Sequence, residues 1–244
     1  MSDTNLVPAN FNQLPSTQVG TDDQFMELAK ASEFLGRLQL YTKGKAINKG
    51  QVKPGNYGIP DGEEVTDLGD EIDLYVLARR PKAIDMTDTD AILVNYDPSS
   101  EEFQRIQDQA GEKESHCMYG PSFLVYERTS KRFLEFFCGS KSTRNEARKI
   151  YPFAPLTDAD IARQKAAGND VSDLEAHGPI AMTLKSKLVE KGSYSWHVPV
   201  VMKSARDFPM PVWERVYAEI VKFIACKGDG VELAKAPEGK RRAR

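Results

Sequence analysis

The chain has 244 residues, 40% of them apolar and 28% charged, with a net charge of −3, which suits one large globular domain with a sizeable core. Its three cysteines, Cys117, Cys138 and Cys226, are odd in number and not closely paired, which excludes a disulfide framework and makes a reducing, cytoplasmic setting the expectation. No basic segment precedes an apolar run at the N-terminus, and no stretch approaches about 18 consecutive apolar residues, so neither a signal peptide nor a membrane span is expected.

Residues 1–20 are rich in Pro, Asn, Ser and Thr without periodicity and read as a flexible arm. A short helix over Asp22–Ser32 follows, then a first strand within 34–42, with Leu38 and Leu40 on one face and Arg37, Gln39 and Tyr41 on the other. Residues 43–63 hold five glycines and two prolines and read as one long loop. It is made basic by Lys43, Lys45, Lys49 and Lys53 and carries Tyr57 near its end. Residues 71–80 alternate as a strand; 82–86 and 91–96 read as two more, separated by a polar turn. Residues 99–111 form a helix with a serine N-cap, Phe103 and Ile106 inward and Gly111 as its stop.

Residues 121–149 are the most informative stretch. Phe123–Tyr126 and Phe133–Phe137 form a hairpin turning at Thr129-Ser130-Lys131, which runs into a basic helix opened by Ser142 or Thr143, with Thr143 and Glu146 spaced for a capping box. From Arg128 to Lys149 there are seven basic residues (Arg128, Lys131, Arg132, Lys141, Arg144, Arg148, Lys149) against two acids. Arg144 and Arg148 are i, i+4 neighbours on that helix, and such a like-charged pair has no folding rationale of its own. Cationic charge beside aromatic strands is what a single-stranded nucleic acid requires, cations for phosphates and flat rings for bases. The same residues also fit a barrel core with a solvated flank.

Residues 156–178 read as an excursion helix and loop, and 179–203 as two long strands turning at Lys191-Gly192. Lys185 and Lys187 share a face on the first of these strands, and Tyr194 and Trp196 share one on the second, so the hairpin presents either a stacking platform or one core ring with solvated lysines. Residues 209–226 form an amphipathic helix with a stripe of Val212, Val216, Ile220 and Phe223, widened by Trp213, Tyr217 and Ile224. The organisation expected is an arm over 1–20, one domain over 21–226 and a basic tail over 227–244. The fold expected is α+β, mainly β, an antiparallel OB-like Greek-key barrel elaborated by extra strands and the last helix.

Charge is segregated along the chain. Residues 1–35 carry five acids and one lysine, residues 61–73 carry seven acids and no base, and the last residues are basic. No metal or cofactor is expected: His116, Cys117, Cys138, His177, His197 and Cys226 lack the close ligand pairs of a zinc site, and no phosphate-binding or nucleophile motif occurs. The acidic pairs Asp67/Asp70 and Asp88/Asp90 lie in turn contexts, where Asp commonly serves local hydrogen bonding.

Five phrases, GNYGIPDGEEVTDLGDEIDL, LARRPKAIDM, CMYGPSFLVYER, FFCGSKSTRNEARK and KSKLVEKGSYSWHVPVV, spread over roughly residues 34–203, resemble a group of tailed-bacteriophage single-stranded DNA-binding proteins. The resemblance implies a non-enzymatic, non-sequence-specific DNA binder acting in phage replication or recombination, in the host cytoplasm and with replication or recombination proteins as partners. It departs from the group at the C-terminus, where GKRRAR stands in place of an acidic tail. Lys43, Lys45, Lys49, Lys53, Arg128, Lys131, Arg132, Arg144, Arg148, Lys185 and Lys187 are then the candidate phosphate contacts, and Tyr57, Tyr126, Tyr194 and Trp196 the candidate stacking rings. A phage structural or assembly protein is the alternative, and a small metal-dependent nuclease using the acidic turns is the third.

Overall fold

The computed structural model describes residues 35–88, 92–112, 115–205 and 208–225. The expected arm, the helix over 22–32 and the basic tail lie outside the described residues. Nine strands build one mixed, mostly antiparallel sheet: β1 (Gly36–Leu40), β2 (Tyr57–Asp61), β3 (Glu64–Gly69), β4 (Glu71–Asp85), β5 (Leu93–Asn95), β6 (Cys117–Glu127), β7 (Arg132–Phe137), β8 (Ala181–Lys191) and β9 (Tyr194–Lys203). Among the described residues five helices accompany it, α1 (Lys45–Asn48), α2 (Glu101–Gln109), α3 (Lys141–Ala147), α4 (Asp158–Ala166) and α5 (Trp213–Ala225), with a 3₁₀ turn at Tyr151–Phe153.

The strand order is β3-β2-β1-β7-β6-β4-β8-β9, with β5 added beside β4, and β1/β7 is the one parallel pair among the described residues. No pairing joins β3 to β9, so the sheet is open and the closed barrel expected from the sequence does not form. The sheet still curls strongly. Tyr57 on β2 donates its hydroxyl to the Lys185 carbonyl on β8 at 3.2 Å, across several intervening strands.

The concave face encloses the main core: Leu38, Tyr57, Ile59, Ile72, Leu74, Val76, Phe123, Val125, Leu134, Phe136, Met182 and Leu184, covered by Ala147, Ile150 and Ala154 from α3 and the segment after it. The opposite face carries a second core, in which Leu77, Leu124, Tyr126 and Phe133 receive Phe208 and the α5 residues Val216, Ile220 and Phe223. Val212 is exposed and precedes α5 rather than joining its stripe. A small third cluster seats Phe103 and Ile106 of α2 on Ala83 and Cys117.

Two connections differ from expectation. The 43–63 loop contains α1 and the whole of β2, whose partner β3 follows at once; Tyr57 is the anchor that pulls this stretch into the core. Residues 71–85 form a single strand, not two broken at Pro81. A proline inside a strand is tolerated where its missing N–H faces an unpaired edge, and that edge is what the site is built on.

Candidate nucleic-acid interface

Along β4 the register with β6 slips between Val76 and Ala78. Leu77 and Ala78 both pack toward the second core, so the alternation is shifted from Arg79 onward. Arg79, opposite Phe123, thereby continues the face that Ile72, Leu74 and Val76 begin. An arginine at this position stands at the rim of the main core rather than behind it.

The other edge of β4 is discontinuous. β8 pairs with it over Glu71–Tyr75 and β5 over Ala83–Asp85, which leaves residues 76–82 with no strand on that side. Pro81 lies opposite Pro121, and the Pro121 carbonyl accepts from Cys138 N–H at 3.0 Å, pointing away from β4. That pair is therefore a non-hydrogen-bonded one, and so is Arg79/Phe123 two residues away. The Arg79 N–H, the Arg79 carbonyl and the Pro81 carbonyl consequently face the gap.

A cleft of about 760 Å³ opens on this gap. Leu77–Pro81 and Tyr119–Pro121 form its floor, α3 with Tyr151 one wall, and Thr157, Asp160 and Arg163 of the α4 region another; Phe103 and Gln107 of α2 and Ile220 and Ile224 of α5 also line it. Six cations reach the cleft, Arg79, Arg80, Lys141, Arg144, Arg148 and Arg163, against one carboxylate, Asp160. Five of them divide into two groups, with Arg144 apart. Arg163 pairs with Asp160 at 3.2 Å; Arg80 pairs with Glu135 at 3.3 Å and donates to the Phe223 carbonyl. Arg79, Lys141 and Arg148 have no carboxylate partner among the described residues.

Arg144 is the strut of the site. Its guanidinium donates to the Tyr119 carbonyl at 2.9 Å and to the Gly139 carbonyl, and lies 4.1 Å from the Tyr119 ring centroid. The arginine passes over Gly120, where a Cβ would stand 3.0 Å from its side chain and 2.2 Å from the Cys138 carbonyl. Only glycine fits under it. The like-charged i, i+4 pair thus has a structural reason on one side: Arg144 joins α3 to β6, while Arg148 stays exposed. Across the cleft, Arg79 lies 4.5 Å from the Tyr151 ring centroid. Phe103, Tyr119 and Tyr151 are the rings that line the cleft; Tyr119 and Tyr151 each carry a guanidinium, and Tyr151 also packs against Phe123 with ring centroids 5.9 Å apart.

Ser140, not Ser142 or Thr143, caps α3, accepting from Thr143 N–H at 3.2 Å. The expected Thr143/Glu146 box does not form, because Thr143 is already inside the helix and Glu146 pairs with Lys149 at 2.6 Å.

The other expected contacts are dispersed. Tyr57 and Tyr126 are buried, the first in the main core and the second against Phe133, so neither ring is available for stacking. Arg128 is held by Asp73 at 3.1 Å at the far end of β6, beside the turn bearing exposed Lys131 and Arg132. Nine residues of strand separate it from Tyr119, about 30 Å, so these three cations cannot share the cleft. Lys43, Lys45, Lys49 and Lys53 are exposed on the α1 loop, with Lys49 4.0 Å from Glu63. Lys185 pairs with Glu71 at 2.7 Å. On the β8–β9 hairpin Lys187, Tyr194 and Trp196 do share a face: Lys191 stands opposite Tyr194, Val189 opposite Trp196 and Lys187 opposite Val198. Tyr194 is 75% exposed and Trp196 half-buried.

Sequence reasoning missed Arg79, Tyr119, Lys141 as a cleft residue, and Tyr151. The available signal was Arg79-Arg80-Pro81, two arginines before a proline that marks an open strand edge.

Asp67 accepts from both Asn56 Nδ2, at 2.9 and 3.0 Å to its two oxygens, and the Gly69 N–H, a turn-capping role. Among the described residues no group of three or more His, Cys, Asp or Glu side chains is placed to hold a metal, and no helix is long and apolar enough to cross a membrane. No protein-family model, curated protein or solved structure matches the chain.

Proposed function

We propose that this protein binds single-stranded DNA in the cleft on the open edge of β4, without sequence specificity and without catalysis. The observation that carries the reading is the set Arg79, Lys141 and Arg148, three cations without carboxylate partners among the described residues, arranged around Tyr119 and Tyr151 in one concave site. Unneutralised cations at a cleft favour a polyanion, and rings beside them give bases a stacking surface worth about 1–3 kcal/mol each. The resemblance of the sequence to phage single-strand binders supports this reading, and phage DNA replication or recombination is the setting we propose with it. A closed oligonucleotide-binding barrel is not required, because the cleft lies on a sheet edge.

One observation favours a second reading, a phage assembly or protein-interaction protein: Tyr194 and Leu188, 75% and 48% exposed, stand on opposite faces of the β8–β9 hairpin as separate exposed apolar side chains. Titration of a fluorescent oligo(dT) by anisotropy at several salt concentrations separates the two. Binding that weakens log-linearly with salt, with a slope of about −0.7 for each phosphate neutralised, is the expected result; no binding at low salt favours the assembly reading.

A further inference from the structure

We infer that the open edge of β4 takes unpaired bases edge-on, so that the cleft selects single strands through backbone hydrogen bonds as well as through charge; the inference rests on the reading of the cleft as a DNA site. The gap over residues 76–82 presents a donor, the Arg79 N–H, and two acceptors, the Arg79 and Pro81 carbonyls, and no described residue bonds them. A strand edge left unpaired inside a cleft is a template awaiting complementary groups. The Watson–Crick edge of a thymine supplies them, an N–H donor between carbonyl acceptors. In a duplex those atoms are already paired, so the same edge has nothing to offer a double strand.

The surroundings fit a base rather than an added peptide strand. A peptide strand brings alternating side chains and its own N–H donors to the edge, and gains little from guanidinium groups laid on rings at 4.1 and 4.5 Å. A nucleotide uses all three elements together: ring against ring, base edge against the β4 backbone, and phosphate against Arg79, Lys141 and Arg148. Because backbone groups do the reading, any base with a free donor–acceptor edge is accepted, which agrees with non-specific binding.

The test compares three probes on the wild-type protein by anisotropy: a short oligo(dT), an abasic oligonucleotide with the same number of phosphates, and a duplex of the same length. Oligo(dT) is expected to bind at least about tenfold tighter than the abasic strand, with an equal salt slope, and the duplex no better than the abasic strand. Equal affinity for oligo(dT) and the abasic strand overturns the inference while leaving the DNA site standing; binding of none of the three overturns both and leaves the edge to a peptide strand. A pair of variants isolates the backbone donor. Arg79→Ala removes the guanidinium alone, whereas Arg79→Pro also removes the N–H that faces the gap. The proline variant is expected to lose a further threefold to tenfold, roughly one hydrogen bond, for oligo(dT) and nothing for the abasic strand. An equal loss on both probes contradicts the assignment.

Discussion

Replacing Arg79, Lys141 and Arg148 together by glutamate is expected to weaken binding of oligo(dT) by about a hundredfold or more while leaving the protein folded. The three side chains lie around one cleft and have no carboxylate partner among the described residues. Three phosphate contacts at about 1 kcal/mol each amount to roughly 3 kcal/mol, or about a hundredfold, and reversal of charge adds repulsion. The salt slope should flatten by about 2, three contacts at about 0.7 each. Stability should change little, since Lys141 and Arg148 are exposed and form no ion pair with a described residue. Arg79 loses its contact with Tyr151, worth about 0.5–1 kcal/mol at an exposed site. For a chain of this size that corresponds to a melting shift of no more than about 4 °C. Arg144 does not belong in this set. With its guanidinium bonded to the Tyr119 and Gly139 carbonyls, its replacement damages the cleft wall itself, and loss of binding would carry no information about phosphates.

The largest expected effect on stability is at Glu135. This carboxylate is buried on the second-core face of β7, where it accepts from Lys82 Nζ at 2.6 Å, Ser122 Oγ at 2.7 Å and the Arg80 guanidinium at 3.3 Å. Burial alone would raise its pKa, but the attraction of Lys82 and Arg80 and the bonds from Lys82 and Ser122 outweigh it and hold the carboxyl below its ordinary range. Arg80 reaches further, lying over the rings of Tyr96 and Phe223 and donating to the Phe223 carbonyl, so the cluster ties β4 to α5 directly behind the cleft. Glu135→Gln leaves two cations buried without their counter-charge, a change that costs about 3–5 kcal/mol, measurable by urea unfolding near neutral pH. The sign of the pH dependence follows from the lowered value. A folded-state pKa below the unfolded one gives stability that is fully present above the unfolded carboxylate value, about 4.3, and is lost as pH falls through the folded value. The gap between wild type and Glu135→Gln should therefore be widest near neutral pH and shrink below about pH 4.3. A gap independent of pH would assign the cost to packing instead of charge.

The parts of this fold legible in the sequence are those set by local rules. The hairpin at Thr129-Ser130-Lys131, the α2 cap at Ser100 with Phe103 and Ile106 inward, and the paired strands β8 and β9 follow from alternation, capping and turn chemistry. The open sheet was not legible, because closure depends on whether β3 meets β9, a long-range pairing that no local pattern encodes. Tyr57 was misread for a related reason: a tyrosine among glycines and lysines looks solvated until β2 carries it into the core, where its hydroxyl finds the Lys185 carbonyl. Within the cleft, Arg144 and Arg148 stood out as a charge pattern. Arg79, Tyr119 and Tyr151 did not, since they come from three separate elements and are brought together by a one-residue register slip in β4 and by the gap between β8 and β5. Spatial convergence of this kind leaves no trace in spacing. Pro81 was the exception, a residue whose chemistry reports an open edge, and splitting the strand there hid its meaning.

The claim that the cleft is the DNA site is tested most directly by locating the bases on the protein. Single-stranded oligonucleotides bearing a 5-iodouracil, which photo-crosslinks to aromatic side chains in contact with it, can be irradiated in complex with the wild-type protein and the attached peptides mapped by mass spectrometry. Crosslinks at Tyr119 and Tyr151, lost in the Arg79/Lys141/Arg148 triple glutamate variant, are the expected result. Crosslinks confined to Tyr194 and Trp196 on the β8–β9 hairpin, with none in the cleft, would contradict it.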